Sequence, residues 1–128
     1  SRRQPSCRTC HAQEYAIWEK SPHARAFDVL SAKDRADPRC LQCHTLVPED
    51  LGVGLTGIQC ESCHGAGRNY ATDYIMRDDE LKAILGLQKH VDASTCNRCH
   101  TDSSPNLVPF VVQDNMPLIK HWKDRTAP

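Results

Sequence analysis

The pentapeptide Cys-x-x-Cys-His occurs four times in this chain and accounts for every cysteine in it. The copies are Cys7-Arg8-Thr9-Cys10-His11, Cys40-Leu41-Gln42-Cys43-His44, Cys60-Glu61-Ser62-Cys63-His64 and Cys96-Asn97-Arg98-Cys99-His100. Two thiols at this spacing can form thioethers with the two vinyl groups of one haem, and the histidine that follows then ligates the iron. The cysteine pattern therefore predicts four covalently attached c-type haems.

Three other uses of paired cysteines explain the pattern less well. Structural zinc sites combine two Cys-x-x-Cys pairs but do not require a histidine directly after each pair. A disulfide framework would not repeat one pentapeptide four times, and a thioredoxin-like redox site needs a single Cys-x-x-Cys. Haem attachment uses all eight cysteines and the four histidines that adjoin them.

The composition suggests a small protein whose core is supplied largely by its cofactors. Only 5% of the 128 residues are aromatic and 39% are hydrophobic, which is little for a packed core in so short a chain. The motifs begin at residues 7, 40, 60 and 96, so their spacings of 33, 20 and 36 residues are too irregular for a tandem array. We expect one mainly α domain over residues 1–128, with helices and loops wrapped around four haems and little or no sheet.

Apolar spacing and capping residues predict helices over residues 7–20, 22–33, 78–90, 94–101 and 117–124, with short helical turns at the two middle motifs. Ser21 is expected to be the N-cap of the second of these helices, with Pro22 in its first turn. The run 108–112 resembles a strand, but Pro109 favours an extended edge or a loop.

Three histidines remain as possible sixth ligands of the four irons: His23, His90 and His121. Each lies near a predicted helix boundary beside an aromatic or apolar neighbour, a setting that favours ligation over simple solvent exposure. Met76 and Met116 are the other conceivable ligands, since a thioether binds haem iron, although packing is the commoner role of methionine. The favoured alternative is that one haem is five-coordinate or carries a water ligand.

Three features of the sequence resemble the tetrahaem cytochrome c-554 family. The first motif is followed by Trp18-Glu19-Lys20-Ser21-Pro22-His23-Ala24, which is similar to that family's Ser-x-His-Ala segment. The segment from Gly57 to Gly67 is similar to its Gly-x-x-Cys-Glu-x-Cys-His-Gly-x-Gly motif. The shortage of distal histidines is also typical of the family.

The resemblance implies a set of axial pairs. His23 would ligate the third haem opposite His64, and His121 would ligate the fourth haem opposite His100. His90 would then fall to the first haem, opposite His11. The second haem, on His44, would be left open, with Tyr70 or Tyr74 as possible neighbours of its iron.

The resemblance also implies a function, because the family is best known as a periplasmic electron acceptor of hydroxylamine oxidoreductase in ammonia-oxidising bacteria. We therefore expect an electron carrier whose partners are redox proteins, such as a multihaem oxidoreductase or a quinone-linked membrane cytochrome. Sixteen basic residues balance sixteen acidic ones, so the basic surface of a nucleic-acid-binding protein is missing. The haem propionates would make the mature protein acidic.

The sequence also predicts where the protein works. No apolar run reaches the roughly 18 to 20 residues of a membrane-spanning helix. Haem of the c type is attached outside the cytoplasmic membrane. We therefore expect a periplasmic or extracellular protein whose leader, and any membrane anchor with it, has been removed.

Two other functions compete with electron transfer. An enzyme could reduce nitric oxide, peroxide or a nitrogen oxide at an open iron that neighbouring haems supply with electrons. Alternatively, the chain could be the subunit of an extracellular haem filament, in which a neighbouring subunit supplies an axial ligand. Polymerisation does not add an eighth histidine per chain, so it leaves the shortage of ligands unchanged.

Overall fold

The computed structural model of the chain describes residues 7–47, 55–101 and 110–122. Short α-helices dominate this part of the chain: α1 (Ala12–Glu19), α2 (Pro38–His44), α3 (Cys60–His64), α4 (Asp73–Met76), α5 (Asp79–Ile84), α6 (Ala93–Cys96) and α7 (Val112–Ile119). Further 3₁₀ turns lie at Pro22–Arg25, Asp34–Ala36 and Gly67–Asn69. The predicted mainly α fold class is confirmed.

One small sheet lies between the second and third motifs. Strands β1 (Thr45–Val47) and β2 (Leu55–Thr56) pair antiparallel, with Thr45 opposite Thr56. Since β1 follows α2 directly and β2 shortly precedes α3, this pairing brings the end of the second motif close to the start of the third. The N–H of Gly57 extends the contact by donating to the carbonyl of His44 at 3.0 Å.

The helices around the second and fourth motifs begin at aspartate caps. The carboxylate of Asp37 accepts the N–H of Arg39 at the start of α2, where Pro38 occupies the first turn. Asp92 accepts the N–H of Ser94 in the same way at the start of α6. These side chains satisfy N–H groups that have no partner inside the helix, which fixes where each helix begins.

The predicted helix over residues 22–33 is wrong. The 3₁₀ turn Pro22–Arg25 is followed by further turns, in which Asp28 and Leu30 donate to carbonyls three residues earlier. Ser21 does not cap a helix with its side chain. Instead its hydroxyl donates backwards to the carbonyl of Trp18 at 2.7 Å, so it closes the end of α1.

The bounds of the other predicted helices also need correction. The helix expected over 78–90 stops at Ile84, because Gly86 takes a φ of +103° that a right-handed helix does not allow. The first helix is interrupted near Cys10 and restarts as α1, while the helix expected over 94–101 is the short α6. In the run 108–112, residues 108 and 109 lie outside the described residues and Val112 begins α7.

The helix predicted over residues 117–124 is replaced by α7, which starts five residues earlier and contains Pro117. Its half-buried face carries Val112, Met116 and Ile119, at the spacing of successive helical turns. This apolar period, rather than the proline, decides where the helix forms. Residues 123 and 124 lie outside the described part of the chain.

Few apolar side chains are buried by the protein alone. Among the described residues, only Tyr70 and Ile75 are buried hydrophobic side chains. A self-contained globular domain would bury a contiguous apolar cluster instead. The described segments therefore lack such a cluster of their own. None of the helices in the described segments is long and apolar enough to cross a membrane.

Candidate haem sites

No disulfide bond joins any two of the eight cysteines, all of which lie in the described part of the chain. The thiols of different motifs lie close together. Burial, followed by the neighbouring Cys43, raises the pKa of Cys99 to about 11. Burial is also the main cause that raises the pKa of Cys63, with Cys96 adding to it. The second, third and fourth motifs therefore form one cluster.

A hydrogen bond joins the third motif to the fourth directly. The guanidinium of Arg98, between the cysteines of the fourth motif, donates to the carbonyl of Ser62, between the cysteines of the third, at 2.6 Å. The two residues that separate each cysteine pair thus face each other across this contact. Groups attached to these two motifs would be close neighbours.

Two pairs of histidine rings have centres at a spacing that suits a haem, with interplanar angles of 40° for His23 and His100 and 88° for His64 and His121. The ring centres of His23 and His100 lie 6.2 Å apart, and those of His64 and His121 lie 6.0 Å apart. Two imidazoles bound to opposite faces of a haem, each about 2 Å from the iron through one nitrogen, have ring centres about 6 Å apart. Each pair supplies two nitrogen donors, as a six-coordinate haem requires and a tetrahedral zinc site does not.

These pairs differ from those that the resemblance implied. His23 faces His100 of the fourth motif, not His64 of the third. His121 faces His64 of the third motif, not His100. Two of the predicted distal ligands, His23 and His121, therefore each lie beside the histidine of a haem-attachment motif. Their partners are exchanged relative to the pairs that the resemblance implied. The reason is the path of the chain, since short turns rather than long helices carry both distal residues.

Hydrogen bonds at Nδ1 orient several of these rings. Nδ1–H of His64 donates to the carbonyl of Gln88 at 2.7 Å, and that of His121 donates to the carbonyl of Ile119 at 2.8 Å. Nδ1 of His44 is bonded in the same way to the carbonyl of Ala26. A ring whose Nδ1 carries the proton presents the lone pair of Nε2 for ligation, so these bonds select the ligating tautomer.

The rings of the other pair are held by their surroundings. The ring of Phe110 stacks on His100, with centres 3.9 Å apart and an interplanar angle of 14°. Burial is the first cause that lowers the pKa of His23, and the nearby His100 lowers it further. Burial alone lowers the pKa of His100. Both rings are therefore kept neutral, which is the form that binds a metal.

The other candidate ligands, His11, His44 and His90, do not form comparable histidine pairs among the described residues. His11 lies near enough to His64 to help lower the pKa of that residue, although burial is the main cause and His121 acts more strongly. His90 lines an open cavity of about 350 Å3 together with Lys82 and Lys89. Among the described residues, His11 and His90 do not form a ring pair, and His44 has no second imidazole facing it.

The methionines and tyrosines named as alternatives have other settings. Met76 ends α4, and Met116 lies on the half-buried face of α7. The hydroxyl of Tyr70 donates to the carbonyls of His64 and Gly65, so this residue belongs to the third motif. Tyr74 is exposed.

Sequence reasoning gave no separate role to Glu61, which lies between the cysteines of the third motif. Its side chain is only 7% exposed and accepts the N–H of Gly67 at 2.7 Å. A Cβ on Gly67 would lie 2.9 Å from the same carboxylate oxygen, so a side chain at this position would displace the carboxylate of Glu61. The signal was present in the sequence, since both residues belong to the Gly-x-x-Cys-Glu-x-Cys-His-Gly-x-Gly segment.

Comparisons with known proteins identify relatives with a similar sequence and fold. Residues 6–65 match the family model described as cytochrome c554 and c-prime. Cytochrome c-554 of Nitrosomonas europaea is 32% identical over 92 residues, a match that covers 53% of this chain and 39% of that protein. The chain thus spans about two fifths of the length of this curated relative.

A solved structure shares the fold. It is the reduced state of cytochrome c554 from Nitrosomonas europaea, which is similar with a TM-score of 0.61 at 21% identity. The likeness covers 90% of this chain and 76% of that one. Family match, curated relative and shared fold thus make this chain similar to the c-type cytochromes of the cytochrome c-554 family.

Proposed function

We propose that this protein is a periplasmic electron carrier with four c-type haems in a single domain over residues 1–128. The observation that supports this most strongly is the pair of facing imidazole couples, at 6.0 and 6.2 Å between ring centres. The similarity to cytochrome c-554 supports the same role. In the proposal each Cys-x-x-Cys-His motif holds one haem through two thioethers, and its histidine is the proximal ligand.

The ring geometry supports a specific set of axial ligands. His23 and His100 ligate the haem of the fourth motif, while His121 and His64 ligate that of the third. His90 is assigned to the haem of His11, because His11 and Gln88, two residues before His90, both lie beside His64. The haem of His44 then has no protein ligand on its distal side.

Haem iron supplies reversible one-electron chemistry, and the chain's own residues set how fast and at what potential it runs. Two fixed imidazoles keep the coordination sphere the same in both oxidation states, so little rearrangement accompanies each electron. The contacts between the second, third and fourth motifs favour short distances between their cofactors. The partners are redox proteins, such as a multihaem oxidoreductase or a quinone-linked membrane cytochrome.

A second candidate function is reduction of a small ligand at the His44 haem. The specific observation is that Nδ1 of His44 is bonded to the carbonyl of Ala26, while no second imidazole faces the ring among the described residues. Such a haem would have room for nitric oxide, peroxide or another nitrogen oxide. Turnover with these ligands, measured against the rate of electron transfer, separates the two functions.

The proposed function is tested on protein produced in a host that matures c-type cytochromes. Intact mass should show four covalently bound haems, and a redox titration should show complete and reversible reduction. Replacement of both cysteines of one motif by alanine should lower the haem count by one. A wild-type protein with fewer than four haems would contradict the proposal, as would irons that do not cycle reversibly.

A further inference from the structure

We propose that Gly57 and Trp18 are positioning residues that hold the backbone of His23 where its ring can face His100. The inference rests on the proposed ligation of a haem by His23, and it adds how that ligand is kept in place. Neither residue belongs to a haem-attachment motif. Both lie where two distant parts of the chain cross.

The crossing is formed by the turn that carries His23 and the residues that follow β2. The N–H of Ile58 donates to the carbonyl of His23 at 2.8 Å. Gly57 adopts a φ of +79°, a conformation that side chains rarely allow. A Cβ there would lie 2.7 Å from the carbonyl oxygen of Ala24 and 3.1 Å from that of His23. A glycine is therefore required at position 57 for two reasons: the backbone there has a positive φ, and the turn that carries His23 packs against it.

Trp18 secures the same crossing from the opposite end. Its indole N–H donates to the carbonyl of Ile58 at 2.7 Å, so both polar backbone groups of Ile58 are used. The carbonyl of Trp18 in turn accepts both the N–H and the hydroxyl of Ser21, at 2.9 and 2.7 Å. Ser21 is buried, so these bonds are shielded from water.

Hydrogen bonds link Ser21 to Trp18, Trp18 to Ile58, and Ile58 to His23. The backbone from residue 21 to residue 23 closes these links into a ring. The ring is joined to the second motif, because Gly57 donates to the carbonyl of His44 and Nδ1 of His44 is bonded to Ala26. The turn that carries His23 therefore cannot shift without disturbing the crossing. An aromatic side chain and a glycine, which would otherwise count as packing residues, control the position of a ligand.

The chain offers a matched control for Gly57. Gly86 also has a positive φ, +103°, but a Cβ on it would meet no atom within 4 Å. Gly57→Ala and Gly86→Ala thus both place a side chain on a backbone of positive φ, while only the first pushes against the turn of His23. In the ferric holoprotein we expect Gly57→Ala to convert one low-spin iron to high spin. Gly86→Ala should keep the wild-type signals.

A conservative variant tests Trp18. Trp18→Phe keeps an aromatic ring but removes the N–H that donates to Ile58. Tyr15→Phe is its control, because Tyr15 lies beside Trp18 on the same helix, with ring centres 5.3 Å apart, and can lose its hydroxyl without touching the crossing. We expect Trp18→Phe to raise the high-spin fraction partially. Tyr15→Phe should leave it unchanged.

Added imidazole distinguishes a displaced ligand from general damage to the fold. Because free imidazole can also bind the open haem of His44, wild type is titrated alongside. If His23 has moved away, imidazole should convert one more iron to low spin in Gly57→Ala than in wild type. Low-spin signals that persist in both Gly57→Ala and Trp18→Phe would overturn the inference. If Gly57→Ala does not fold, Trp18→Phe decides alone.

The two proposals fail in different ways. A wild-type protein without four covalent haems would contradict the proposed function, whatever the variants show. Four haems in every variant, with unchanged low-spin signals in Gly57→Ala and Trp18→Phe, would leave the proposed function in place and remove the positioning role. Haem content by mass and spin state by electron paramagnetic resonance are therefore recorded on the same samples.

Discussion

The two histidine couples are alike in spacing but are held by different means. His64 and His121 each donate Nδ1–H to a backbone carbonyl, at 2.7 and 2.8 Å. For His23 and His100, no Nδ1 acceptor is found among the described residues. Their positions depend on the backbone bond from Ile58 and on the stacked ring of Phe110. The two pairs of imidazoles thus differ in their surroundings, because of these four rings only those of His64 and His121 donate a hydrogen bond from Nδ1 to an acceptor among the described residues.

This difference bears on redox potential. An imidazole that donates its second N–H to a carbonyl is the more basic ligand, and a more basic ligand stabilises ferric iron. The haem of His64 and His121 should therefore have the lower potential of the two. Electrons entering both would collect on the haem of His23 and His100.

The largest effect is expected when the central fourth motif loses its haem. Cys96→Ala combined with Cys99→Ala should cost several kcal/mol in unfolding free energy, roughly the loss seen for a major core deletion. The physical reason is that this motif contacts the second and third motifs. Thermal unfolding followed by circular dichroism measures the change.

The first motif supplies the control. Cys10 is exposed, so Cys7→Ala combined with Cys10→Ala should destabilise the protein less. Equal losses of stability for the two double variants would contradict the clustered arrangement.

The pairing of distal ligands is tested next. His121→Ala should convert one low-spin iron to high spin, because it removes the partner of His64. In protein that already lacks Cys60 and Cys63, and so the third haem, His121→Ala should remove no further low-spin signal. His23→Ala should still remove one in that background. The opposite pattern would restore the pairing that the family resemblance implied.

A ligand exchange sharpens the comparison of potentials. His121→Met should raise the lower of the two potentials by roughly 0.1 V, a fraction of the ~0.8 V range that axial ligands cover. The thioether is a weaker donor to ferric iron, and the bond to the carbonyl of Ile119 is lost with the imidazole. Spectroelectrochemical titration of wild type and variant measures the shift. If the higher potential moves instead, the proposed order is wrong.

The smallest effect is expected from the aromatic neighbours. Phe110→Leu removes the ring stacked on His100 and should cost about 1 kcal/mol in unfolding free energy. It should also broaden the low-spin signal of that haem, since the His100 ring gains freedom. Trp122 meets His121 edge-on at 5.2 Å, and the Nδ1 bond of His121 already fixes that ring. Trp122→Leu should therefore change the spectrum less, and an equal or larger change would contradict this view.

The sequence predicted the mainly α fold and the similarity to the cytochrome c-554 family, because a covalent attachment motif is local and needs no knowledge of the chain path. Helix starts can be local in the same way. Asp78 is the first residue of the predicted helix over 78–90, and its side chain caps α5. The pairing of His23 with His100 could not be predicted in this way. It depends on a crossing between residues 18–24 and 57–58, about 40 positions apart in sequence.

The misplaced helices have similar causes. Ser21 looked like an N-cap, but its hydroxyl is used by the carbonyl of Trp18, a competition that sequence alone does not reveal. Pro117 looked like a helix start, but the apolar period of Val112, Met116 and Ile119 is the stronger signal. At Ser21 a competing local hydrogen bond replaced the expected cap, and at Pro117 the apolar period of the helix outweighed the preference of the proline for a first turn.

The most direct test of the axial couples is quantitative electron paramagnetic resonance of the fully ferric holoprotein. With His23 opposite His100, His121 opposite His64, His90 assigned to His11 and His44 left open, the spectrum should integrate to about three low-spin irons and one high-spin iron. A spectrum in which high-spin iron predominates would contradict the account, because it would mean that the facing histidines do not ligate iron.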